Sequence, residues 1–219
     1  MRTHTRARLF AFAALTVLLL SVMATQAACG GDSGGGTSTG DVTTYTDKTY
    51  NFSFSYPSDW KLQESADAAD VTSGAAATKM VAAYDPNGAK TDTSYTDLVE
   101  VSIYELGGTV DDSIMPQLEE EVKSVFAGLE SQAKDLKVVK EMTAVSMAGV
   151  TGWKITYSFD KDGVPAQSTL YLLFGGSLEY QLLIQAATEN WEADQAIFHA
   201  FLTSFKPGST ASTTESTSK

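Results

Sequence analysis

The folded part of the chain is best understood from one short stretch, YNFSFSYPSDW (Tyr50–Trp60). From Tyr50 to Tyr56 every second residue is aromatic and the residues between are polar, a period of two that is typical of a β-strand with one buried face. Pro57 has no N–H group to donate to a neighbouring strand, so it is expected to end the strand. The following turn is expected to bring Trp60 back onto the core.

A second motif, Phe201-Leu-Thr-Ser-Phe-Lys206, stands near the end of the folded region, and the two motifs bracket about 155 residues. Together they resemble the PsbP-like family, which includes the photosystem II extrinsic proteins of cyanobacteria and plants; mycobacterial lipoproteins of the LpqN type are similar. The resemblance implies an α+β fold in which an antiparallel β-sheet is covered by helices on both faces, an α/β/α sandwich. Both motifs are structural, so the resemblance transfers no functional residue, and a role in photosystem II does not follow from it.

The amino-terminal segment has the three parts of an export signal. Positive charges at Arg2, Arg6 and Arg8 precede an uncharged apolar run, Leu9–Met23, and small residues lead to Cys29. The apolar run is shorter than the roughly 20 residues needed to cross a bilayer. We therefore interpret residues 1–28 as a cleaved export signal and not as a transmembrane helix.

Cys29 is the single cysteine of the chain and is followed by a glycine-rich run. This arrangement resembles a bacterial lipoprotein signal, in which Cys29 becomes the lipid-modified amino terminus. The alternative is ordinary signal cleavage with a leftover thiol, and Gln26, where lipoprotein signals usually have leucine, keeps that alternative open. Gln26 is also large for ordinary cleavage, and a lone exposed thiol is unusual in an exported protein. We expect the lipid on Cys29 to hold the protein at the outer face of the cytoplasmic membrane.

The length of 219 residues, with 43% hydrophobic and 19% charged residues, predicts one globular domain with tails. Residues 29–41 are rich in Gly, Ser and Thr and are expected to form a flexible tether. The domain is expected to cover residues 42–206, and the Ser/Thr-rich tail, residues 207–219, is expected to be disordered. We expect a monomer.

The charge balance excludes two classes of partner. The chain has 15 basic and 27 acidic residues, a formal net charge of −12, and removal of the signal would take away all three arginines and no acidic residue. Nucleic acids and anionic lipid surfaces both require clustered Lys or Arg. We therefore expect no nucleic-acid partner and membrane attachment through the lipid alone.

Hydrophobic periodicity predicts the remaining elements of the domain. We interpret residues 61–78 mainly as a loop, Asp160–Gly163 as a hairpin turn, and Leu170–Phe174, which is apolar on both faces, as part of a central strand. An amphipathic helix is predicted for Ser113–Lys134, and a second helix for Asn190–Phe205 with Asn190 as its N-cap. The predicted strands, the last four of which should form a meander, are Lys79–Tyr84, Leu98–Leu106, Lys137–Val145, Val150–Phe159, Gln167–Phe174 and Leu178–Ala187.

The sequence offers no catalytic, metal or cofactor motif, so we expect no enzyme and no cofactor. His199 is expected at the exposed rim of the last helix, and Lys154 is interpreted as an outward residue on a strand surface. A binding or assembly module for an envelope protein fits this composition best. The alternative is a carrier of a small apolar ligand held between sheet and helix. It is suggested by a set of aromatic residues, although such residues more often belong to the ordinary hydrophobic core. They are Tyr50, Phe52, Phe54, Trp60, Trp153 and Trp191.

Overall fold

The computed structural model describes residues 40–65, 77–132 and 135–208. The predicted signal, the lipidation residue Cys29, and most of the predicted tether and tail lie outside these ranges. No helix within them is both long enough and apolar enough to cross a membrane.

Ten elements follow one another along the described chain. They are β1 (Val42–Thr46), β2 (Ser53–Pro57), β3 (Lys61–Ser65), β4 (Lys79–Tyr84), β5 (Leu98–Val110), α1 (Met115–Gln132), β6 (Lys137–Met147), β7 (Val150–Lys161), β8 (Val164–Ala187) and α2 (Gln195–Ser204). β1 and β2 form a small sheet of their own, and the other strands form one sheet in the order β3-β4-β5-β8-β7-β6. Every pairing is antiparallel, as predicted.

β8 folds back on itself. As a straight strand of 24 residues it would be about 80 Å long, whereas a compact domain of this size has a radius of gyration of about 15 Å. The N–H of Thr188 donates to the carbonyl of Pro165 at 2.8 Å, and the hydroxyl of Ser168 donates to the side chain of Gln185 at 3.1 Å. The reversal occurs around Gly176, whose φ of +61° suits a tight turn. β8 is thus a hairpin with two neighbouring arms.

The two arms correspond to the predicted strands Gln167–Phe174 and Leu178–Ala187, and the predicted meander is confirmed. The first arm pairs with β7 and the second with β5, so the apolar Leu170–Phe174 segment lies in the middle of the sheet, as expected. The hairpin turn at Asp160–Gly163 is also confirmed, because Lys161 pairs with Val164 across it. The prediction of a loop directly after Trp60 was wrong: residues 61–65 form β3, the edge strand beside β4.

The Tyr50–Trp60 stretch lies in the small sheet and not in the large one. Its strand begins at Ser53 and not at Tyr50, because Asn51 has a φ of +57° that interrupts extended geometry. Pro57 ends the strand, and the N–H of Trp60 donates to its carbonyl at 3.0 Å. Trp60 is 5% exposed within the core, so the predicted return of this side chain is confirmed.

Two clusters of buried residues hold the helices to the sheet. Leu118, Val122 and Phe126 of α1 belong to one cluster with Leu172, and Phe198 and Phe201 of α2 belong to the other with Leu173. α2 also contacts the small sheet, since the ring of Phe54 lies 5.3 Å from that of Phe201. The fold is a mostly antiparallel β-structure with two helices, and α2 packs against β2 of the small sheet through Phe54 and Phe201.

The second helix begins later than predicted. α2 starts at Gln195 with Asp194 at the N-cap position, and residues 188–194 form turns. Asn190 was wrongly predicted as the N-cap, because its side chain instead donates to Asp97 at 2.7 Å. Lys134, the predicted end of the first helix, lies outside the described residues.

Candidate functional site: a groove between α2 and the sheet

A groove of about 310 Å³ lies between α2 and the strands β6, β7 and β8. This volume is near the lower end of the range for small-molecule sites, about 300–1,000 Å³. The strands supply its floor with Lys140, Glu141, Thr143, Lys154, Thr156, Thr169, Tyr171 and Ile184. The helix and the turn before it supply its wall with Trp191, Gln195, Phe198, His199 and Leu202.

The alternation of β7 gives the groove a polar floor. Trp153 and Ile155 point into the cluster with α1, so Lys154 and Thr156 face the other way, toward α2. Thr156 is paired in register with Thr169 on β8, and their hydroxyls lie 2.8 Å apart. Each of the two threonine hydroxyls thus has the other as its hydrogen-bond partner beneath the groove, so neither is unpaired at that point.

A β-bulge widens the polar part of the floor. The register between β6 and β7 shifts between Lys140 and Thr143, which are paired with Thr156 and Lys154. In a regular strand, consecutive side chains point to opposite faces, and a bulge can re-aim one of them. Here the consecutive residues Lys140 and Glu141 both line the groove.

The wall follows from the periodicity of α2. Gln195, Phe198, His199 and Leu202 are three or four residues apart, so they share one helix face. The ring of Trp191, in the preceding turn, lies 5.2 Å from that of Phe198. This face is partly apolar and lies against the polar floor, so the groove is amphipathic.

The two lysines give the groove its positive charge. The Nζ atom of Lys154 lies 5.7 Å from the centroid of the Tyr171 ring, within the range of a cation–π contact. Among the described residues, neither Lys140 nor Lys154 forms an ion pair, in contrast to Lys79 and Lys123. The lysine ammonium groups are therefore available to an anionic ligand.

Of the residues singled out from the sequence, some line the groove and others lie in the hydrophobic core. His199 lies at the exposed rim, as predicted, and Trp191 contributes to the wall. Phe52, Phe54, Trp60 and Trp153 are core residues and do not line the groove. The interpretation of Lys154 as a plain surface residue was incomplete, because the sequence contains no signal that α2 packs over this part of β7. Cys29 lies outside the described residues.

Buried carboxylates lie on the sheet away from the groove. Burial raises the pKa of Glu100 and of Glu179 to about 7, and hydrogen bonds from Ser102 and Gln181 act in the opposite direction. Glu179 is paired in register with Tyr104, four residues along β5 from Glu100, a separation of about 13 Å. The two carboxylates do not face each other as an acid–base pair would. In the described ranges, no group of three or more His, Cys, Asp or Glu residues is arranged to hold a metal ion.

Comparisons with known proteins identify a family through a family model, and they also find solved structures of similar fold. The structure of PsbP from the cyanobacterium Synechocystis sp. PCC 6803 is 13% identical, with a TM-score of 0.49, over 80% of this chain and 98% of that chain. The structure of LpqN from Mycobacterium tuberculosis, described as involved in cell envelope biogenesis, is 13% identical with a TM-score of 0.48 over 77% of this chain and 91% of that chain. No curated protein sequence matches. A family model described as PsbP-like protein matches residues 31–206, and the chain therefore belongs to the PsbP-like protein family.

Proposed function

We propose that the chain is an exported lipoprotein, anchored through Cys29 at the outer face of the cytoplasmic membrane, whose PsbP-like domain is a non-catalytic binding module with the groove as its binding site. The observation that carries this proposal is the amphipathic groove of about 310 Å³, whose two lysines form no ion pair with the residues that the structure describes. The export signal and the lipoprotein-like sequence around Cys29 support the location.

The arrangement of the helices supports a rigid module. Leu172 and Leu173 are neighbours on β8 and point to opposite faces, and they contact α1 and α2 respectively through their clusters. We infer from this that one helix covers each face of the sheet. Such a sandwich would present the groove on a stable surface.

As far as the structure describes its lining, the groove supplies binding groups and no activated hydroxyl nucleophile. The hydroxyls of Thr156 and Thr169 are hydrogen-bonded to each other, and neither is held by a base. His199 is exposed at the rim. We therefore propose that binding, and not covalent chemistry, is the activity of this site.

A carrier of an apolar ligand is the second candidate, and the aromatic wall formed by Trp191 and Phe198 favours it. A wholly apolar ligand would, however, cover Lys140 and Lys154 without replacing their contacts with water, which is unfavourable for a charged group. The groove thus favours a ligand with at least one polar end over a simple hydrocarbon.

The binding function can be tested by blocking the groove. Gln195→Trp would place an indole in the groove, whereas Glu192→Trp adds the same side chain at an exposed position outside it. Both variants and the wild type would be captured from their own cell envelope, and bound proteins and small molecules identified. We expect Gln195→Trp alone to lose a bound component. Retention of every component by Gln195→Trp would contradict the proposal.

The anchor and the absence of catalysis need separate tests. Incorporation of labelled fatty acid should occur in the wild type and be lost in Cys29→Ser. Label that persists in this variant would refute lipidation at Cys29. An anchored His199→Ala protein that keeps its stability and its ligand binding should also keep its function, and loss of function in such a protein would point to catalysis.

A further inference from the structure

We infer that the ligand of the groove is a small amphipathic carboxylate, with one anionic head and one compact apolar part. This inference rests on the proposed function of the groove as a binding site. It names the class of ligand from the charges, apolar contacts and volume that the groove offers.

The head group follows from the lysines. The chain has a formal net charge of −12, yet the floor of the groove carries Lys140 and Lys154 and one acidic residue, Glu141. Both lysines are unpaired among the described residues, so a ligand carboxylate can form charge-assisted hydrogen bonds with them. A cationic ligand would meet two like charges against one opposite charge.

Glu141 limits the charge of the ligand. A dianion or polyphosphate would bring a further negative charge close to this carboxylate, and a single carboxylate would not. All three arginines of the chain precede residue 9, so the cations that the groove offers to a head group are lysine ammonium groups.

The apolar part follows from the wall and from the volume. Trp191, Phe198 and Leu202 of the wall, with Ile184 of the floor, provide an apolar surface beside the two lysines. The volume of about 310 Å³ suits a single short chain or one ring system and is too small for a lipid with two long chains.

Three probes of equal chain length separate the contributions of head and tail. The mature chain with Cys29→Ser, which changes no described residue, would be titrated with octanoate, 1-octanol and octyltrimethylammonium, followed by calorimetry and by amide chemical shifts. We expect saturable octanoate binding, with shifts at the groove, and affinities at least tenfold lower for the other two probes.

Variants assign the effect to the lysines. Lys140→Gln and Lys154→Gln should each weaken octanoate binding about tenfold and leave 1-octanol unchanged. Lys154→Arg should retain binding, and Lys61→Gln, an exposed lysine on the opposite edge strand β3, should behave as wild type. Thermal melting of each variant would show that the fold is intact.

Two different failures can be distinguished. Equal binding of 1-octanol and octanoate at the groove, or unchanged octanoate binding in both glutamine variants, would overturn the carboxylate inference and leave the groove as a binding site. Shifts from all three probes that map away from the groove would overturn the inference and count against the proposed binding site as well.

Discussion

Asn190 donates from Nδ2 to the carboxylate of Asp97 at 2.7 Å, although the two residues are 93 positions apart in the chain. Asp97 is 1% exposed and also accepts hydrogen bonds from the backbone N–H groups of Ala187 at 2.7 Å and Ala89 at 2.8 Å. One buried carboxylate thus joins the end of β8, the turn before α2 and the loop before β5. This contact fixes the turn that precedes α2 and adds to the packing of Phe198 and Phe201 that holds the helix to the sheet.

Removal of this carboxylate should destabilise the whole domain. We expect Asp97→Ala to lower the free energy of unfolding by on the order of 3 kcal/mol or more, because three donors lose a charged, buried acceptor. Asn190→Ala removes a single donor and should cost about 1–2 kcal/mol. Chemical denaturation of both variants would measure the difference. An Asp97→Ala midpoint equal to that of wild type would show that the contact contributes nothing.

Gly152 and Gly107 form a matched pair for a test of close packing in the sheet. A Cβ atom at Gly152 of β7 would overlap the backbone carbonyl of Leu172, whereas one at Gly107 of β5 would meet nothing within 4 Å. Gly152→Ala must therefore push β7 and β8 apart and should destabilise the domain by about 1–3 kcal/mol or more. Gly107→Ala should be close to neutral. Thermal melting of the two variants would decide, and equal melting temperatures would contradict this reasoning.

The sequence predicted those parts of the fold that local pattern determines. The β8 hairpin could be predicted because Gly175 and Gly176 separate two apolar runs. β3 was missed because Leu62 is its single apolar residue, and the strand exists by pairing with the edge of β4. The alternating pattern that predicts a strand can be recognised only where more than one position of the strand is apolar and buried.

The candidate site was less predictable than the fold. The alternation around Lys154 shows which residues share its face of β7, but the docking of α2 decides whether that face is a surface or a groove. Asn190 is of a residue type that favours the N-cap position, and its tertiary partner Asp97 could not be known from the sequence. Both failures concern contacts between residues far apart in the chain.

Glu179 should make the stability of the domain depend on pH. Burial raises its pKa from 4.5 to about 7, so between these values the folded state holds a proton that the unfolded state has released. The unfolded state binds fewer protons there, and the free energy of unfolding should fall as the pH rises from about 4.5 to 7, by up to about 3 kcal/mol. Glu100, also with a raised pKa, acts in the same window and the same direction.

Glu179→Gln removes one of these titrations and keeps the shape of the side chain. We expect the variant to be more stable than wild type above pH 7 and to show a shallower decrease between pH 5 and 7, with Glu100 and Asp194, whose pKa values burial also raises to about 7, responsible for the remainder. Urea denaturation at several pH values would measure this, with the exposed Glu192→Gln as control. An unchanged pH profile in Glu179→Gln would mean that this residue ionises normally in the folded protein.

Substitutions at Trp60 and Trp191 should distinguish the loss of a core residue from the loss of a groove residue. Trp60 is 5% exposed and packs in the cluster of Phe52 and Phe54, so Trp60→Ala should cost about 3–5 kcal/mol, a large part of the roughly 5–15 kcal/mol that stabilises such a domain. Trp191 is half-buried at the wall of the groove. Trp191→Ala should therefore destabilise less, yet it should weaken octanoate binding, because the apolar part of the ligand loses its largest contact. Denaturation and calorimetry on both variants would test this pairing of effects. A Trp60→Ala protein that melts within a degree or two of wild type would show that Trp60 is not a core anchor, and full octanoate affinity in Trp191→Ala would show that the indole is not part of the binding wall.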